Sequence, residues 1–159
     1  MTGRCATTAA VASASTQRPL PAWLTRTWDL RQLTIRPLIE PLEGWDEPTQ
    51  RGYADESLTG RIVLVGGEPA GVLTVMRWTH ELHLTWIAVL PQLQGAGLGA
   101  ALIRRAQGEA AAARLPLTLR VMRANPAVRL YERLGFTSDG TTLAGLPTDR
   151  VTMRWVATP

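Results

Sequence analysis

Three glycines alternate with apolar residues at positions 95, 97 and 99, where a strand-like run of residues 82–90 gives way to a helix-like run of residues 98–113. Glycine allows backbone N–H groups to turn towards a ligand because it has no Cβ. A helix that begins here directs its free N–H groups and the positive end of its dipole to the same point. This arrangement predicts an anion-binding loop that is best suited to phosphate.

Two common phosphate motifs fit this loop poorly. Gly95, Gly97 and Ala100 satisfy a loose dinucleotide fingerprint, but that motif needs a strand running straight into the first glycine and an acidic residue about 20 positions later. Here residues 91–94 intervene, and the next strand carries Arg120 with no carboxylate near it. A Walker sequence needs a lysine, and the chain has none. A glycine-rich turn without a ligand is the remaining alternative.

The elements around the loop follow from apolar periodicity and turn residues. Residues 61–65 and 70–78 flank a Gly-Gly-Glu-Pro turn and predict a hairpin, which continues into the strand over 82–90. After the long helix, residues 116–122 predict a strand parallel to its predecessor, because a helix crosses between the two. The other predicted elements are a strand over 32–36 ended by Pro37, short helices within 38–58, a helix begun by Asn125 and Pro126 and ended by Gly135, and strands over 136–142 and 150–156.

Length and composition indicate one globular domain. The chain has 159 residues, 45% of them hydrophobic and 19% charged, and no apolar run approaches the roughly 18 residues of a membrane span. One cysteine, Cys5, and two histidines, His80 and His83, are too few for a disulfide framework or a metal cluster, so we expect no metal. The net charge of +4 suits a ligand with several phosphates. All basic residues are arginines, which are scattered along the chain, so we expect no nucleic-acid partner.

The first residues differ in composition from the rest. Residues 1 to about 19 are rich in Ala, Thr and Ser, and they make a poor signal peptide because their short apolar part lacks Leu, Ile and Phe. We expect residues 1–30 to be a mobile or partly packed tail and residues 31–159 to be one domain. We therefore expect a cytoplasmic protein, with export as a minor alternative.

Two segments together resemble a known family. Residues 94–99, Gln-Gly-Ala-Gly-Leu-Gly, match the Gln/Arg-x-x-Gly-x-Gly/Ala signature of the GNAT superfamily of N-acetyltransferases. Residues 125–136 are similar to the Asn…Leu-Tyr-Glu-x-x-Gly-Phe helix of the same family. The resemblance covers residues 32–157 and implies an α/β fold, with a mixed, mostly antiparallel central sheet of about six or seven strands flanked by helices.

The resemblance implies acetyl-coenzyme A as the co-substrate. The N–H groups of the loop would hold its pyrophosphate, and the end of the preceding strand would lie along its pantetheine arm. A backbone N–H near Val89 would polarise the acetyl carbonyl. The implied cofactor-binding residues are Ala88, Val89, Leu90, Gln94, Gly95, Ala96, Gly97, Leu98, Gly99, Ala100 and Asn125.

The family position of the general acid falls on Tyr131, which lies six residues after Asn125 where many members have seven. The departing thiolate needs a proton. A cysteine-like thiol has a pKa of ~8.5 and a tyrosine of ~10, so transfer from the phenol is only modestly uphill. The alternative is a core aromatic residue whose hydroxyl bonds a backbone group.

A base or a water chain must take the proton of the attacking amine, because an alkyl amine with a pKa of ~10.4 arrives protonated. His83 lies six residues before Val89, where the family often has a glutamate, and the resemblance makes it a possible base. A solvated strand residue is the alternative. Glu81 is a weaker choice, since it lies in a predicted turn.

The implied reaction is direct transfer to a primary amine of a small molecule or peptide, without an acyl-enzyme. The alternative function is a non-catalytic acyl-coenzyme A sensor or partner module, and a homodimer is possible by analogy.

In the family, the region before the second strand forms one wall of the acceptor site. Its carboxylates would attract a cationic amine or merely form a solvated helix face, and its aromatic neighbours would contact the acceptor or the core. These residues are Glu40, Glu43, Asp46, Glu47, Asp55, Glu56, Tyr53 and Trp86.

Overall fold

A computed structural model of the chain describes residues 15–17, 24–56, 60–142 and 150–158. Most of the predicted tail, including Cys5, lies outside the described residues, so the domain boundary expected after residue 30 stays a prediction. Helix α1 (Leu24–Thr34) spans that position.

One sheet contains every described strand. The strands are β1 (Ser15–Gln17), β2 (Arg61–Val65), β3 (Glu68–Arg77), β4 (Leu82–Val89), β5 (Leu117–Met122), β6 (Thr137–Thr142) and β7 (Arg150–Trp155). Their order is β1-β2-β3-β4-β5-β7-β6. The pairs β1–β2, β2–β3, β5–β7 and β6–β7 are antiparallel, and β4–β5 is parallel. This mixed, mostly antiparallel sheet confirms the predicted fold class.

Four more helices and a short turn complete the described elements. They are α2 (Arg36–Glu43), α3 (Glu47–Glu56), a 3-10 turn (Pro91–Leu93), α4 (Leu98–Ala113) and α5 (Val128–Arg133). In the described part of the chain, no helix is both long enough and apolar enough to cross a membrane.

The strand predicted over residues 32–36 was wrong, because these residues end helix α1 and begin α2. The Ile35 N–H donates to Arg31 O at 2.8 Å and Thr34 Oγ1 donates to Leu30 O at 2.7 Å, both one helical turn back. Pro37 stands in the first turn of α2, where its missing N–H costs no hydrogen bond. It therefore starts a helix instead of ending a strand.

The chain divides into two compact units, and the first holds the described residues up to Thr74 together with Trp86–Ala101. One apolar cluster joins helix α1 to strands β2, β3 and β4 within this unit. Strand β3 also approaches β4 closely at Gly71, where a Cβ would clash with Ala88 O and lie 3.2 Å from Val89 Cα. The buried members of the cluster are Leu30, Ile62, Val72, Trp86 and Ala88.

The second unit holds Val75–Thr85 and the described residues from Leu102 onward. Within it, β5 pairs with the start of β4 on one side and with β7 on the other, so Leu119 faces Leu84 and Met153 in the register. Helix α4 contributes one apolar stripe with helical spacing. The buried residues of that stripe are Leu102, Ile103, Ala106 and Ala110.

Candidate functional site

The glycine loop joins strand β4 to helix α4 through the 3-10 turn Pro91–Leu93. Gly95 and Gly97 have φ values of 75° and 86°, a left-handed backbone that costs about 1–2 kcal/mol for a residue with a Cβ. A Cβ on either glycine would meet no heavy atom within 4 Å. The glycines are therefore required by the backbone and not by packing. Open space beside such a backbone fits a ligand that approaches it closely.

Helix α4 starts directly after the loop, at Leu98, and runs for 16 residues. The Ala101 N–H donates to Gly97 O at 3.0 Å. The N–H groups before it have no partner inside the helix, as at any helix start. Together with the helix dipole, which places about half a positive elementary charge there, they favour an anion. The loop and the helix start therefore fit a pyrophosphate.

Gln94 fastens the loop to the end of strand β4. Its Nε2 donates to Val89 O at 2.9 Å, and the neighbouring Leu90 N–H donates to Ala70 O at 2.8 Å. The side chain at the first position of the loop signature thus holds the backbone in place with one of its amide hydrogens. Ala88 and Val89 are buried and Leu90 is half-buried, so the strand end is packed as well as hydrogen-bonded.

Helix α5 ends in a Schellman motif that includes Tyr131. The Phe136 N–H donates to Tyr131 O and the Gly135 N–H donates to Glu132 O, both at 3.0 Å. Gly135 has the left-handed conformation that this motif needs, with a φ of 84°. The Tyr131 and Phe136 rings meet edge to face with centroids 5.7 Å apart, which supplies the apolar contact of the motif. The Tyr-Glu-x-x-Gly-Phe segment is therefore a helix stop that fixes the tyrosine.

Asn125 caps the turn that leads into helix α5. Its Oδ1 accepts a hydrogen bond from the Ala127 N–H at 2.9 Å, and its backbone O accepts one from the Val128 N–H at 3.0 Å. The helix begins at Val128, later than the predicted start at Pro126, because residues 125–128 form this turn first. With Oδ1 engaged inside the protein, the amide nitrogen of Asn125 is the part of the side chain that has hydrogens to offer a ligand.

Tyr131 is buried, with 7% of the residue exposed, and burial raises the pKa of its phenol to about 12. The phenol therefore stays protonated through the neutral range. Its pKa exceeds that of a cysteine-like thiol by about 3.5 units, so full proton transfer to the thiolate costs roughly 5 kcal/mol. This cost is larger than the one expected from an ordinary tyrosine. Tyr131 can therefore donate a hydrogen bond at neutral pH, but complete release of its proton is costly.

His83 lies opposite Thr118 in the parallel register of β4 and β5. Its Nδ1 is 2.9 Å from Thr118 Oγ1, and its ring stacks on Trp78 with centroids 4.5 Å apart and planes 5° from parallel. Only 9% of His83 is exposed, which rules out the solvated strand residue considered above. Burial lowers the pKa of His83 from its ordinary 6.5, Arg120 lowers it further and Glu81 opposes them.

We expect the free energy of unfolding to fall as the pH decreases below about 6.5, in part because of His83. The unfolded chain binds the His83 proton at a higher pH than the folded chain does, so acid favours unfolding until the pH passes below the pKa of the folded form. Urea unfolding at several pH values from 7.5 to 5 should show a smaller decrease in the His83→Gln variant than in the wild type. His80→Gln, at an exposed turn position, should retain the full decrease. If the free energy of unfolding decreases equally in all three proteins, the lowered pKa of His83 is contradicted.

Helices α2 and α3 use part of their acidic charge locally. Glu40 pairs with Arg36 and Glu47 pairs with Arg51, each at 2.8 Å and one helical turn apart. The hydrogen bond from Arg36 lowers the pKa of the Glu40 carboxyl. These pairs favour the solvated helix face over a set of carboxylates held ready for a cationic amine.

Arg31, which the sequence argument did not single out, links the two aromatic residues proposed for the acceptor region. Its guanidinium lies 5.2 Å from the centroid of the Tyr53 ring and 5.7 Å from that of Trp86. Its Nη2 donates to Gln50 Oε1 at 2.7 Å. A helix through this segment would have placed Arg31 one turn before Ile35. The incorrect prediction of a strand over residues 32–36 excluded that helix. The Arg31 guanidinium, a cation, therefore lies close to both rings.

Residues 58–138, just over half of the chain, match a family model described as an acetyltransferase (GNAT) domain. The chain belongs to the GNAT acetyltransferase family. Membership confirms the acyltransferase class predicted from the two signatures, and with it acetyl-coenzyme A as the co-substrate. No curated protein matches the sequence.

Solved structures with the same fold include several GNAT proteins. PaiA N-acetyltransferase from Thermoplasma acidophilum, in complex with coenzyme A, has a TM-score of 0.72 at 12% identity, over 91% of this chain and 99% of that one. The ribosomal-protein-S18-alanine N-acetyltransferase from Escherichia coli has a TM-score of 0.65 at 23% identity, over 90% and 93%. Arabidopsis thaliana Naa50 with the bisubstrate analogue CoA-Ac-MVNAL has a TM-score of 0.66 at 14% identity, over 91% and 99%. At these identities, the likeness shows the fold.

The predicted site residues of this GNAT protein fall into two groups. The loop residues, Gln94 and the end of β4 come together in the first unit, while His83, Asn125 and Tyr131 belong to the second. Sequence reasoning missed Thr118, the hydrogen-bond partner of His83. A long helix separates Thr118 from His83 in the sequence, and only the parallel register places them side by side.

Proposed function

We propose that this GNAT protein is an N-acetyltransferase that moves the acetyl group of acetyl-coenzyme A to a primary amine by direct transfer in a ternary complex. The glycine loop carries the proposal. Two left-handed glycines with open space beside them lead into the start of a 16-residue helix, and Gln94 fastens this loop to the end of a strand. Such a backbone cradle fits the pyrophosphate of coenzyme A without any lysine.

In the proposed reaction, one C–N bond forms and one C–S bond breaks. The amine nitrogen attacks the thioester carbonyl, whose developing negative charge a backbone N–H near Val89 stabilises. The nitrogen loses a proton to His83 or to water, and the departing sulfur gains a proton from Tyr131. For a neutral amine, these two transfers balance, and a proton returning from His83 to Tyr131 through solvent resets the protein.

Two structural features support the role of Tyr131 as the general acid. The Schellman motif fixes its backbone and its ring, and burial keeps the phenol protonated. The cost of roughly 5 kcal/mol for transfer to a distant thiolate decreases when the thiolate forms within hydrogen-bond distance, because hydrogen bonds to charged groups contribute about 1.5–3 kcal/mol. Tyr131 therefore first donates a hydrogen bond to the sulfur as its charge develops, and its proton then transfers along that bond.

Peptide N termini are the first acceptors to test. One similar structure is that of the ribosomal-protein-S18-alanine N-acetyltransferase, and another, Naa50, holds the bisubstrate analogue CoA-Ac-MVNAL. In this chain, Glu40 and Glu47 are paired with arginines, and the Arg31 guanidinium lies close to the rings of Tyr53 and Trp86. This charge distribution supports an acceptor with one amine and nearby carbonyl groups over a polyamine with several positive charges.

The proposal predicts that acetyl-coenzyme A stabilises the protein and that Gly97→Ala weakens the effect. Ligand at 100 times its dissociation constant adds about 2.7 kcal/mol to the free energy of unfolding. An alanine at φ 86° relaxes the loop, and restoring the binding conformation costs about 1–2 kcal/mol, or roughly 5- to 30-fold in affinity. Thermal shifts with acetyl-coenzyme A measure this effect, with NADH and ATP as controls.

Gly108→Ala is the matched control, since Gly108 lies within helix α4 and a Cβ there meets nothing within 4 Å. It should bind acetyl-coenzyme A as the wild type does. Absence of a shift at millimolar acetyl-coenzyme A would contradict the cradle, and so would equal shifts in both variants. A normal shift without turnover across a broad amine panel would favour the acyl-coenzyme A sensor.

A further inference from the structure

A hydrogen-bonded chain in the second unit involves two residues to which the proposed reaction assigns no role. Thr118 Oγ1 lies 2.9 Å from His83 Nδ1, 3.0 Å from Glu81 Oε1 and 3.4 Å from Leu82 O. Glu81 comes from the turn before β4, His83 from β4 and Thr118 from β5. Thr118 is only 3% exposed, so its hydroxyl must bond with these neighbours and not with bulk water.

The proton positions in this chain follow from the number of donors. The Thr118 hydroxyl has one hydrogen, and two of its three neighbours, the Glu81 carboxylate oxygen and the Leu82 carbonyl, can only accept. If the hydroxyl donated to His83 Nδ1, the carboxylate would face an oxygen lone pair at 3.0 Å. If the hydroxyl donates to Glu81, Thr118 Oγ1 is left as an acceptor and Nδ1 must carry the hydrogen. This second arrangement gives the carboxylate and Nδ1 complementary partners and includes a charge-assisted bond to the carboxylate, while Leu82 O, at the longer distance of 3.4 Å, receives no hydrogen from Thr118.

We infer that Glu81 and Thr118 are positioning residues that hold neutral His83 with its proton on Nδ1, so that Nε2 is the atom that accepts the proton of the amine. The catalytic part of this inference rests on the proposed function, whereas the position of the proton does not. The hydrogen bonds of Thr118 explain how a histidine can serve as the base at this strand position. A carboxylate base would not need a neighbour to fix the position of its proton. A histidine base works only when its lone pair faces the amine, and the other ring nitrogen decides that.

The surroundings of His83 are consistent with a neutral ring that accepts a proton. Trp78 covers one face of the ring, Glu81 favours the charged form and Arg120 opposes it. In the described part of the chain, the buried side-chain nitrogen and oxygen atoms without a partner are Trp45 Nε1, Thr74 Oγ1 and Trp86 Nε1. His83 Nε2 is not among them. Nε2, the nitrogen with the lone pair, therefore either reaches the surface or has a hydrogen-bond partner.

Nitrogen NMR of the histidine rings tests the position of the proton directly. With only two histidines in the chain, the His80→Gln variant assigns both sets of ring signals. At a pH where both rings are neutral, we expect His83 Nδ1 to show the chemical shift of a protonated nitrogen and Nε2 that of an unprotonated one. The reverse pattern, or an even mixture, would overturn the inference whether or not the protein has measurable activity.

Two substitutions at Thr118 separate the hydroxyl from the shape of the side chain. Thr118→Val removes the hydroxyl and keeps the branched shape that suits strand β5, and we expect it to shift His83 towards a mixture of the two neutral forms. Thr118→Ser keeps a hydroxyl and should keep the wild-type signals. An unchanged His83 spectrum in Thr118→Val would contradict the role of Thr118. If that variant does not fold, the wild-type spectrum and the Glu81 variant below still decide the question.

Kinetics then tests the catalytic part. We expect Thr118→Val to lower kcat/KM for the amine by about 10-fold or more, which is part of the roughly 10²- to 10⁴-fold contribution of a general base. The KM for acetyl-coenzyme A should be unchanged. Thr118→Ser should have the wild-type rate. Glu81→Gln keeps an acceptor for Thr118 but removes the charge, so the acid limb of the kcat/KM profile should move to lower pH. Arg120→Gln should move the same limb to higher pH.

The two proposals fail in different ways. A wild-type spectrum as expected, with no turnover on any amine, would leave the proton assignment in place and reject the proposed function. Turnover with acid limbs that do not move in Glu81→Gln and Arg120→Gln would support the proposed function and reject His83 as the base.

Discussion

Replacing Tyr131 with phenylalanine is expected to lower turnover by about 100- to 10,000-fold, the usual contribution of a positioned general acid, while the affinity for acetyl-coenzyme A changes by less than about twofold. Phenylalanine keeps the edge-to-face contact with Phe136 and the hydrogen bond from the Phe136 N–H to the backbone O of residue 131, since neither uses the hydroxyl. The substitution therefore removes the proton donor and leaves the helix end in place. Single-turnover rates and calorimetric binding of acetyl-coenzyme A measure the two quantities separately.

Glu132→Gln is the control for Tyr131→Phe, because Glu132 follows Tyr131 on the same helix and its side chain is exposed. It should retain the wild-type rate. The pKa of about 12 adds a second criterion, since loss of the phenol proton should cause no decline in rate up to about pH 10. Full turnover in Tyr131→Phe would assign the proton of the thiol to water and leave Tyr131 as a packing residue.

Gly71→Ala is expected to give the largest loss of stability among single-methyl additions in the first unit. The new Cβ would clash with Ala88 O and lie 3.2 Å from Val89 Cα, and neither backbone atom can rotate away as a side chain can. Overpacking of this kind costs about 1–3 kcal/mol. For a chain of this length, that corresponds to a decrease in Tm of about 2–12 °C, measured by calorimetry.

The same substitution should also weaken the binding of acetyl-coenzyme A, because any movement that relieves the clash displaces the strand end to which Gln94 fastens the loop. Gly52→Ala is the control: Gly52 lies in helix α3 with nothing within 4 Å of its Cβ, so alanine there should leave the Tm unchanged or raise it. A Gly71→Ala protein with the wild-type Tm would contradict the close approach of β3 and β4.

Most of the parts predicted correctly depend on local sequence. The exception is the parallel direction of β5 beside β4, which follows from the helix that connects the two strands. The hairpin of β2 and β3 follows from alternating apolar residues around a glycine turn, and the end of helix α5 follows from Gly135 and its flanking apolar residues. In both cases, the residues that decide the backbone lie within a few positions of one another. The loop at Gly95 and Gly97 belongs to the same class, because its conformation needs no distant partner.

The errors and omissions have a common physical origin in long-range contacts. Residues 32–36 contain an isoleucine before Arg36-Pro37, and that pattern suits a strand end as well as a helix start until Leu30 is seen packed on Ile62 and Val72. Likewise, nothing near His83 in the sequence indicates Thr118. Their hydrogen bond exists because two parallel strands that a 16-residue helix connects happen to pair in that register.

The Schellman motif at the end of helix α5 has a consequence for the dynamics of the enzyme. The residue that carries the phenol also supplies the carbonyl that accepts the Phe136 N–H, so the phenol cannot leave its position by a side-chain movement alone without losing its contact with Phe136. The easiest large displacement is fraying of this single helix turn, which costs less free energy than unfolding of the domain. The fraction of molecules that are catalytically competent would then depend on the opening of one helix end and not on global unfolding.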